Sequence, residues 1–287
     1  MAEFKQPLWC HDDAHNWGQS LQEVASSRGY DARLFSQPMR AITEGTVFLH
    51  MHSHPAVRLH HKRMAQQFAT NPDIVLIPSY KIASLYDDRL GQLRHLAAFM
   101  PPTRIFTSPQ QARDFVETQP PLPIVSKSGE GSGIRLLRTY DDLHREVKLA
   151  FSDLGLKNRF GVRHHGYVYW QKFMGEHDYS MRILGIGSQR MAIKRGNRGQ
   201  GAERTAIPAT FTEAESALQF ANELIAQQGF NFGAYDLIPD GAGGWKLLKL
   251  SVGWYVLRYA GATFIPDGRK GASVWEVLMD EIEAGNM

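Results

Sequence analysis

The chain lacks the features that would cross-link it or anchor it in a membrane. Its 287 residues include a single cysteine, Cys10, so an internal disulfide cannot form and a cysteine metal cluster is excluded. No stretch approaches the roughly 18 consecutive apolar residues that span a bilayer. The segment 1–8 has no apolar signal-peptide core. We therefore expect a soluble protein of the reducing cytoplasm.

An excess of charge of either sign is also lacking. The 32 basic and 29 acidic residues leave a net charge of +3, which is too balanced to indicate nucleic-acid binding from bulk charge. The sequence has no internal repeat and no low-complexity segment. Its apolar content of 43% is ordinary for a globular protein, and its length allows two or three subdomains.

What the sequence does contain is a glycine-rich hairpin pattern. An apolar run ends in Lys127, glycines follow at 129, 131 and 133, and a second apolar run begins at Ile134. Two short strands joined by a loop are predicted. Glycines let backbone N–H groups approach an anion because no Cβ stands in the way, and the lysine adds a point charge. The pattern therefore favours a phosphate-binding loop.

Strands alternate with helices over the first 80 residues. Short strands are predicted at 7–10, 32–35, 46–51 and 74–78, and helices at 17–28 and 57–68. This alternation is typical of an α/β layer with a parallel sheet, in which ligands bind outside the carboxyl ends of the strands. Asp12, Asp13, His52 and His54 follow such strand ends. Asp12 and Asp13 are equally suited to capping the first helix.

A second region begins after a boundary that we place between 82 and 103. A helix predicted over 86–99 ends at two prolines, and Ser108 with Pro109 begins the next helix as N-cap and first-turn residue. Further strands are predicted at 124–127, 134–137, 167–173, 178–184, 189–194, 232–238 and 245–250, with helices at 141–153, 214–228 and 274–284.

Five polar residues of this second region occur in a recognisable order: Lys127, Gln171, Arg182, Asp236 and Lys249. Together with the motifs around them, the chain from about residue 83 resembles the ATP-grasp superfamily, and in particular the RimK-like carboxylate–amine ligases. The matching motifs are the lysine strand with its Glu-Gly-rich loop, and the segments 169–174, 180–185, 192–195 and 233–236.

The resemblance implies a fold of the α/β and α+β classes in three parts. These are a small parallel α/β domain over 1–82, an ATP-grasp small lobe with the linker and the hairpin over 83–170, and a large lobe over 171–287. The two lobes of such a fold hold a nucleotide. Dimers and tetramers are usual in this family, but the oligomeric state of this chain stays open.

The cofactors that the resemblance implies are ATP and Mg²⁺. Lys127 would contact the phosphates under a loop of Glu130, Gly131, Ser132 and Gly133, although Glu130 is also suited to ordering the loop. Adenine would lie against Gln171, Lys172 and Phe173. Arg182 and Lys194 would be the catalytic cations at the phosphates or the acyl-phosphate. Asp236 would bind the metal.

The implied reaction joins a carboxylate substrate to an amine acceptor. The carboxylate attacks the γ-phosphate of ATP to form an acyl-phosphate, which the amine then attacks. Positioning and neutralisation of charge supply most of the catalysis in such reactions. The resemblance does not identify the acid or the amine.

Two departures from the family pattern support a second hypothesis. Lys249 and Ser251 stand where the family has "Glu-x-Asn", and Ser180 stands at a usual aspartate position with Asp178 two residues earlier. A charged lysine repels a metal ion, so Lys249 would pair instead with Asp236 or with phosphate. The alternative function is therefore a degenerate ATP-grasp protein that binds a nucleotide or a partner without full ligase catalysis.

Two further groups of residues stay open. His50, His52 and His54 would share a face if their strand continued, and His60 and His61 follow closely; substrate contacts, solvated positions and a metal site are the three alternatives. Lys194, Arg195, Arg198 and Arg204 form a basic segment. It fits a solvated loop or the recognition of an acidic or phosphorylated substrate, and it leaves nucleic acid open as a partner.

Overall fold

The structure, a computed structural model, describes residues 6–13, 15–37, 41–128, 133–158, 161–196, 206–252, 263–269 and 272–287. These residues form eight α-helices and sixteen strands. The chain divides into two compact units. Unit 1 comprises Met1–Tyr86, His177–Leu237 and Leu250–Met287, and unit 2 comprises Asp87–Glu176 and Ile238–Lys249. The three domain ranges given above stay a prediction.

Unit 1 begins with a parallel sheet. Its elements are β1 (Leu8–His11), α1 (Trp17–Ser27), β2 (Ala32–Phe35), β3 (Gly45–Phe48), α2 (Pro55–Ala69), β4 (Ile74–Ile77) and α3 (Tyr80–Leu85). The strand order is β2-β1-β3-β4 with every neighbour parallel, which confirms the predicted sheet. β1 and β3 are buried throughout, as expected for a parallel sheet that is covered on both faces.

The ends of two parallel strands set the positions of polar residues. β3 ends at Phe48, so His50, His52 and His54 lie after the strand, where side chains no longer alternate between two faces. After β1, the carboxylate of Asp13 accepts hydrogen bonds from two backbone N–H groups at the start of α1, at 2.7 and 3.2 Å. Asn16 is the N-cap of α1, so the expectation that Asp12 or Asp13 caps this helix is wrong, although Asp13 accepts a hydrogen bond from Gly18 in its first turn.

Unit 2 is a four-stranded antiparallel sheet with helices. Its elements are α4 (Arg89–Leu96), β5 (Thr103–Phe106), α5 (Pro109–Glu117), β6 (Ile124–Lys127), β7 (Ile134–Leu137), α6 (Tyr140–Ala150), β8 (Leu156–Lys157), β9 (Arg163–His164) and β10 (Val168–Lys172). The sheet order is β5-β10-β6-β7. Trp170 of β10 packs with α5 and α6 residues such as Val116 and Val147 in the core of this unit.

Two local patterns of unit 2 illustrate how the sequence fixes the start of a helix. Ser108 accepts a hydrogen bond from the backbone of Gln111, and Pro109 follows it, as predicted for α5. The helix predicted over 86–99 is present as α4, but it begins three residues later and its α-helical part ends at Leu96. α3 ends at Leu85, and Asp88 begins α4 as an N-cap whose carboxylate accepts from the backbone N–H of Gly91 at 2.9 Å.

The chain then returns to unit 1. The remaining elements are β11 (Tyr179–Ile186), β12 (Gln189–Gly196), β13 (Ala206–Pro208), α7 (Phe211–Gln228), β14 (Phe232–Pro239), β15 (Trp245–Ser251), β16 (Phe264–Ile265) and α8 (Val274–Glu283). The residues Ile238–Lys249, which include most of β15, belong to unit 2. β11 pairs antiparallel with β12 and with β14. Thr210 caps α7 through a reciprocal pair of hydrogen bonds with Glu213, so this helix begins three residues before the predicted position 214.

Aromatic packing supplies much of the core of unit 1. The ring of Trp275 on α8 lies 5.5 Å from that of Phe48 and 5.8 Å from that of Trp17, each in an edge-on arrangement. Such a pair contributes about 1 kcal/mol beyond the area it buries. No helix in the described part of the chain combines the length and the apolar content that crossing a bilayer requires.

Candidate functional site

The predicted hairpin is formed by β6 and β7, which pair in antiparallel register. Ser128 and Gly133 close its base through two hydrogen bonds of 3.0 Å, one from the backbone of each residue. A Cβ at Gly133 would lie 2.9 Å from Oγ of Ser128, so a larger residue would disturb this closure. Glu130, Gly131 and Ser132 lie outside the described residues, and their contact with phosphates stays a prediction.

Lys127 ends β6 with its side chain almost completely buried, since only 3% of the residue is exposed. Its Nζ donates a hydrogen bond to Oε1 of Gln171 at 2.5 Å, and Nε2 of Gln171 donates to Oγ1 of Thr103 at 2.9 Å. β10 lies between β5 and β6, which brings the three residues together. In the described part of the chain, the Lys127 ammonium therefore meets a neutral amide and no carboxylate.

Gln171 was predicted to contribute to an adenine site. In the structure its side chain accepts a hydrogen bond from Lys127 and donates one to Thr103. Lys172 and Phe173 follow at the end of β10. The backbone N–H of Lys172 donates to the carbonyl of Pro102 at 2.8 Å, so it is already engaged within unit 2. The adenine-binding role of these residues stays a prediction.

Three other charged residues of unit 2 set the electrostatic environment of Lys127: the cations Arg89 and Lys249, and Asp87, which pairs with Lys249. Arg89, the first residue of α4, is buried with 4% exposed, and Asp87 is buried with 3% exposed. Lys249 of β15 places its Nζ 2.5 Å from Oδ1 of Asp87. Burial, and then the charges of Arg89 and Lys249, lower the pKa of Lys127 well below its usual value. Lys249 was expected to pair with Asp236 or with phosphate; within unit 2 its ammonium pairs with Asp87.

A carboxylate held by two guanidinium groups is the main charged feature of the antiparallel sheet in unit 1. Arg182 on β11 stands directly opposite Asp236 on β14, and it donates from Nε and Nη2 to the two carboxylate oxygens at 2.6 and 2.8 Å. Nη1 of Arg195 on β12 donates to Oδ1 at 3.1 Å. A planar guanidinium that meets a carboxylate in this way is suited to binding other oxyanions.

Lys194 does not join this group. Successive residues of a strand face opposite sides of the sheet, so Lys194 and Arg195 of β12 point to different faces. The Nζ of Lys194 lies 3.6 Å from Oε1 of Glu213. The structure thus brings Arg195, and not Lys194, to Arg182. The catalytic role of Lys194 stays a prediction.

The side chains at the predicted metal position do not fit a Mg²⁺ ion. Magnesium requires free carboxylate oxygens, whereas both oxygens of Asp236 accept hydrogen bonds from Arg182 and Arg195. Lys249 carries a positive charge where the resemblance expects a glutamate, and its ammonium forms an ion pair with the carboxylate of Asp87. Among the described residues, no group of three or more His, Cys, Asp or Glu side chains is arranged to hold a metal ion.

A separate cluster of buried histidines lies after the parallel strands of unit 1. His11 ends β1, His50 follows β3, and His61 belongs to α2; all three are buried. The rings of His11 and His61 are 4.8 Å apart, and Nδ1 of His61 accepts from the backbone N–H of His52 at 3.2 Å. Buried positions were not among the alternatives that the sequence offered for His50 and His61.

Burial holds two of these histidines neutral. It lowers the pKa of His50 and of His61 to about 3, and the charges of neighbouring histidines add to the effect. The carboxylate of Asp13 lies 3.5 Å from Nδ1 of His50 without forming a hydrogen bond, which does not offset the burial. Both imidazoles must take up a proton when the chain unfolds below their ordinary pKa.

The stability of the protein should therefore fall as the pH falls from about 6.5 towards the low folded-state pKa values. In this range the unfolded chain binds protons that the folded chain does not. Each of the two histidines should lower the free energy of unfolding by about 1.4 kcal/mol per pH unit. Urea denaturation at a series of pH values measures this slope.

A matched pair of variants assigns the slope. His61→Gln keeps an acceptor for the backbone of His52 and should remove one histidine's share of the pH dependence. His144→Gln, at an exposed position of α6, should leave the slope of the wild-type protein unchanged. Equal slopes in the wild-type protein and His61→Gln would show that His61 titrates normally in the folded state.

Comparisons with known proteins add the family context. No protein-family model and no curated protein matches the chain. Solved structures do match it over nearly the whole length. The ATP-grasp ligase PsnB, in complex with a phosphomimetic variant of its minimal precursor, Mg and ADP, has a TM-score of 0.66 at 13% identity and covers 99% of each chain.

Two further structures give the same result. A RimK domain ATP-grasp protein from Sphaerobacter thermophilus DSM 20745 has a TM-score of 0.64 at 17% identity, covering 96% of this chain and 98% of its own. The macrocyclase MdnC from Microcystis aeruginosa MRC, bound with the precursor peptide MdnA, has a TM-score of 0.63 at 12% identity with the same coverage. The predicted resemblance is confirmed at the level of structure: the chain has the ATP-grasp fold.

Proposed function

We propose that this protein is an ATP-dependent ligase that joins a carboxylate to an amine through an acyl-phosphate. The observation that carries the proposal is the buried ammonium of Lys127 at the end of β6, with a neutral amide as its partner among the described residues. A buried cation without a carboxylate is unfavourable, so the position favours an anion such as phosphate. The ATP-grasp fold of the whole chain supports this choice.

The reaction needs two displacements. An oxygen of the substrate carboxylate forms a bond to the γ-phosphorus, and the bond to the leaving ADP breaks. The amine nitrogen then bonds to the acyl carbon, inorganic phosphate leaves, and the amine loses a proton. Lys127 is suited to holding the phosphates, and Arg182 with Arg195 to holding an oxyanion of the acid or the acyl-phosphate.

Arg182 and Arg195 both donate hydrogen bonds to Asp236 in the structure, and this affects how they could bind a substrate carboxylate. A substrate carboxylate that enters would compete with Asp236 for the same donors or share them. Two arginines provide enough N–H groups for both carboxylates. Asp236 is therefore proposed to orient the guanidinium groups, and no step of the mechanism requires it to bind a metal.

The neighbours also indicate which acids to test first. PsnB is described in complex with the precursor peptide PsnA2, and MdnC with the precursor peptide MdnA. We therefore propose a carboxylate on a peptide or a free amino acid as the substrate class. A peptide carboxylate would suit the two arginines because the guanidinium fork matches its planar geometry.

The test measures nucleotide binding first and transfer second. ATP should raise the melting temperature, since a ligand at about 100 times its Kd stabilises the folded state by about 2.7 kcal/mol. With hydroxylamine as the amine, and acidic peptides and amino acids as acids, ADP release should depend on the acid and yield a hydroxamate. No melting shift with ATP, with or without Mg²⁺, would exclude the proposal.

The second candidate, nucleotide binding without ligation, is favoured by the ion pair of Lys249 with Asp87. Under this hypothesis ATP raises the melting temperature, but none of the acids increases ADP release above the rate without acid. The same two measurements therefore separate the two functions.

A further inference from the structure

Unit 2 holds a cluster of three cations, Lys127, Arg89 and Lys249, which we name the cation cluster. Lys127 and Arg89 are buried, and the side chain of Lys249 is 25% exposed. Asp87 pairs with Lys249 and lies two residues before Arg89 in the chain, which places these two cations in one neighbourhood. Asp88, the other acid of this turn, is engaged as the N-cap of α4.

The members of the cation cluster act on one another. The charges of Arg89 and Lys249 both disfavour the charged form of Lys127, in addition to the effect of its burial. Asp87 offsets the charge of Lys249, but no carboxylate contacts Lys127 among the described residues, so a further anion would stabilise the cluster. The hydrogen bond to Gln171 holds the Lys127 ammonium in this position, so the side chain cannot move away from the other two cations without losing that bond.

Lys249 also determines whether this anion site would use a metal ion or a protein cation. The resemblance places a metal-binding glutamate at position 249, and the lysine reverses the charge of that side chain. The carboxylate of Asp87 lies 2.5 Å from the ammonium, so it already has a cation as its neighbour. Asp87 itself has a φ of 50°, in the left-handed region that aspartate tolerates better than most residues. The pair thus presents a protein cation where a metal would otherwise lie.

We infer that unit 2 binds the phosphates of a nucleoside triphosphate without a divalent metal, through the cation cluster, with the ammonium of Lys249 in the place of the metal ion. This inference rests on the proposed nucleotide-dependent function and specifies how that same site neutralises phosphate. Ammonium and guanidinium groups form short charge-assisted hydrogen bonds to phosphate oxygens. Asp87 keeps Lys249 positioned while one or two of its N–H groups remain for phosphate.

Calorimetric titration of ATP into the full chain tests the inference directly. One titration contains EDTA and the other contains excess MgCl₂. We expect the two dissociation constants to agree within about 3-fold, since no metal takes part in holding the phosphates. Affinity that falls more than about 10-fold in EDTA would overturn the inference.

Variants at position 249 give the complementary result. Lys249→Glu should lose ATP binding in EDTA and regain it when MgCl₂ is added, because the glutamate restores a metal ligand. Lys249→Met removes the charge without adding a ligand, and it should weaken binding in both buffers. Lys246→Glu makes the same charge change on the same strand and should bind ATP in EDTA as the wild-type protein does.

The outcomes separate this inference from the proposed function. Binding of ATP by the wild-type protein only in MgCl₂ overturns the inference and leaves a nucleotide-dependent function in place. Absence of binding in both buffers overturns both. Circular dichroism shows whether each variant is folded. If Lys249→Glu does not fold, Lys249→Met is the deciding variant. Wild-type ATP affinity of Lys249→Met in EDTA would exclude a role for Lys249.

Discussion

Replacing Lys127 with methionine should abolish nucleotide binding while leaving the free protein as stable as the wild type, or more stable. The buried ammonium lacks a carboxylate partner among the described residues, so the folded chain gains little from its charge. A bound phosphate would gain a great deal from it. Truncating one partner of a buried charged contact typically costs about 2–5 kcal/mol, which corresponds to a loss of at least about 30-fold in affinity.

Two measurements check this prediction. The melting temperature of Lys127→Met without a ligand should equal or exceed that of the wild-type protein, and its shift on adding ATP should disappear. Lys148→Met, at an exposed position of α6 in the same unit, should keep the full shift. A full ATP shift in Lys127→Met would show that the hairpin lysine does not contact the phosphates.

The low pKa of Lys127 adds a second signature to the same prediction. A bound phosphate favours the charged ammonium and therefore raises this pKa, so binding should take up protons from the solution at pH values where the free lysine is partly neutral. Titrations in buffers with different ionisation enthalpies measure that uptake. It should be absent from any residual binding by Lys127→Met.

Replacing Arg182 with methionine should produce the second large effect, on transfer rather than on nucleotide binding. Arg182 contributes two of the donors that surround Asp236, and these are the groups proposed to hold the oxyanion of the acid or acyl-phosphate. Removing one such donor group typically lowers kcat by about 100- to 1,000-fold. The thermal shift with ATP should remain close to that of the wild-type protein.

The controls for Arg182 separate geometry from charge. Arg182→Lys keeps the charge but loses the planar fork, so it should recover little of the acid-dependent ADP release. Arg63→Met, at an exposed position of α2, should have wild-type rates. A rate within about 3-fold of the wild type in Arg182→Met would exclude the proposed oxyanion role, because that role requires a loss of at least about 100-fold.

The sequence predicted those parts of the fold that depend on local patterns. The two strands of the hairpin, the N-cap of α5 at Ser108 and the parallel sheet each follow from neighbouring residues, because alternation, capping and turns act over a few positions. The Lys127 position at the end of β6 was predicted for the same reason.

The partners of the predicted residues were not predictable in this way. Whether Arg195 or Lys194 faces Arg182 depends on the register of β12, and a shift of one residue exchanges the two faces. The helix predicted over 86–99 includes Asp87, whereas α4 begins at Arg89 and leaves Asp87 in a turn. Asp87 then becomes the partner of Lys249, which lies more than a hundred residues away in the chain.

The burial of the histidines was not predictable for a further reason. Alternation of His50 with its neighbours suggested one face of a strand, but β3 ends before them, and burial of His50 and His61 depends on α2 packing over the strand ends. The carboxylate of Asp13, which is distant from His50 in the sequence, lies 3.5 Å from its Nδ1 in the fold, yet burial decides the pKa of His50. Long-range packing of this kind carries no local signal.

The most direct test of the account is a crystal structure of the full chain with a non-hydrolysable ATP analogue and EDTA. We predict a bound triphosphate with at least one oxygen about 3 Å from Nζ of Lys127, and with Lys249 as a further phosphate contact. An analogue bound away from Lys127, or one that enters the crystal only when MgCl₂ replaces EDTA, would contradict the central claim that this chain holds phosphate with its own cations.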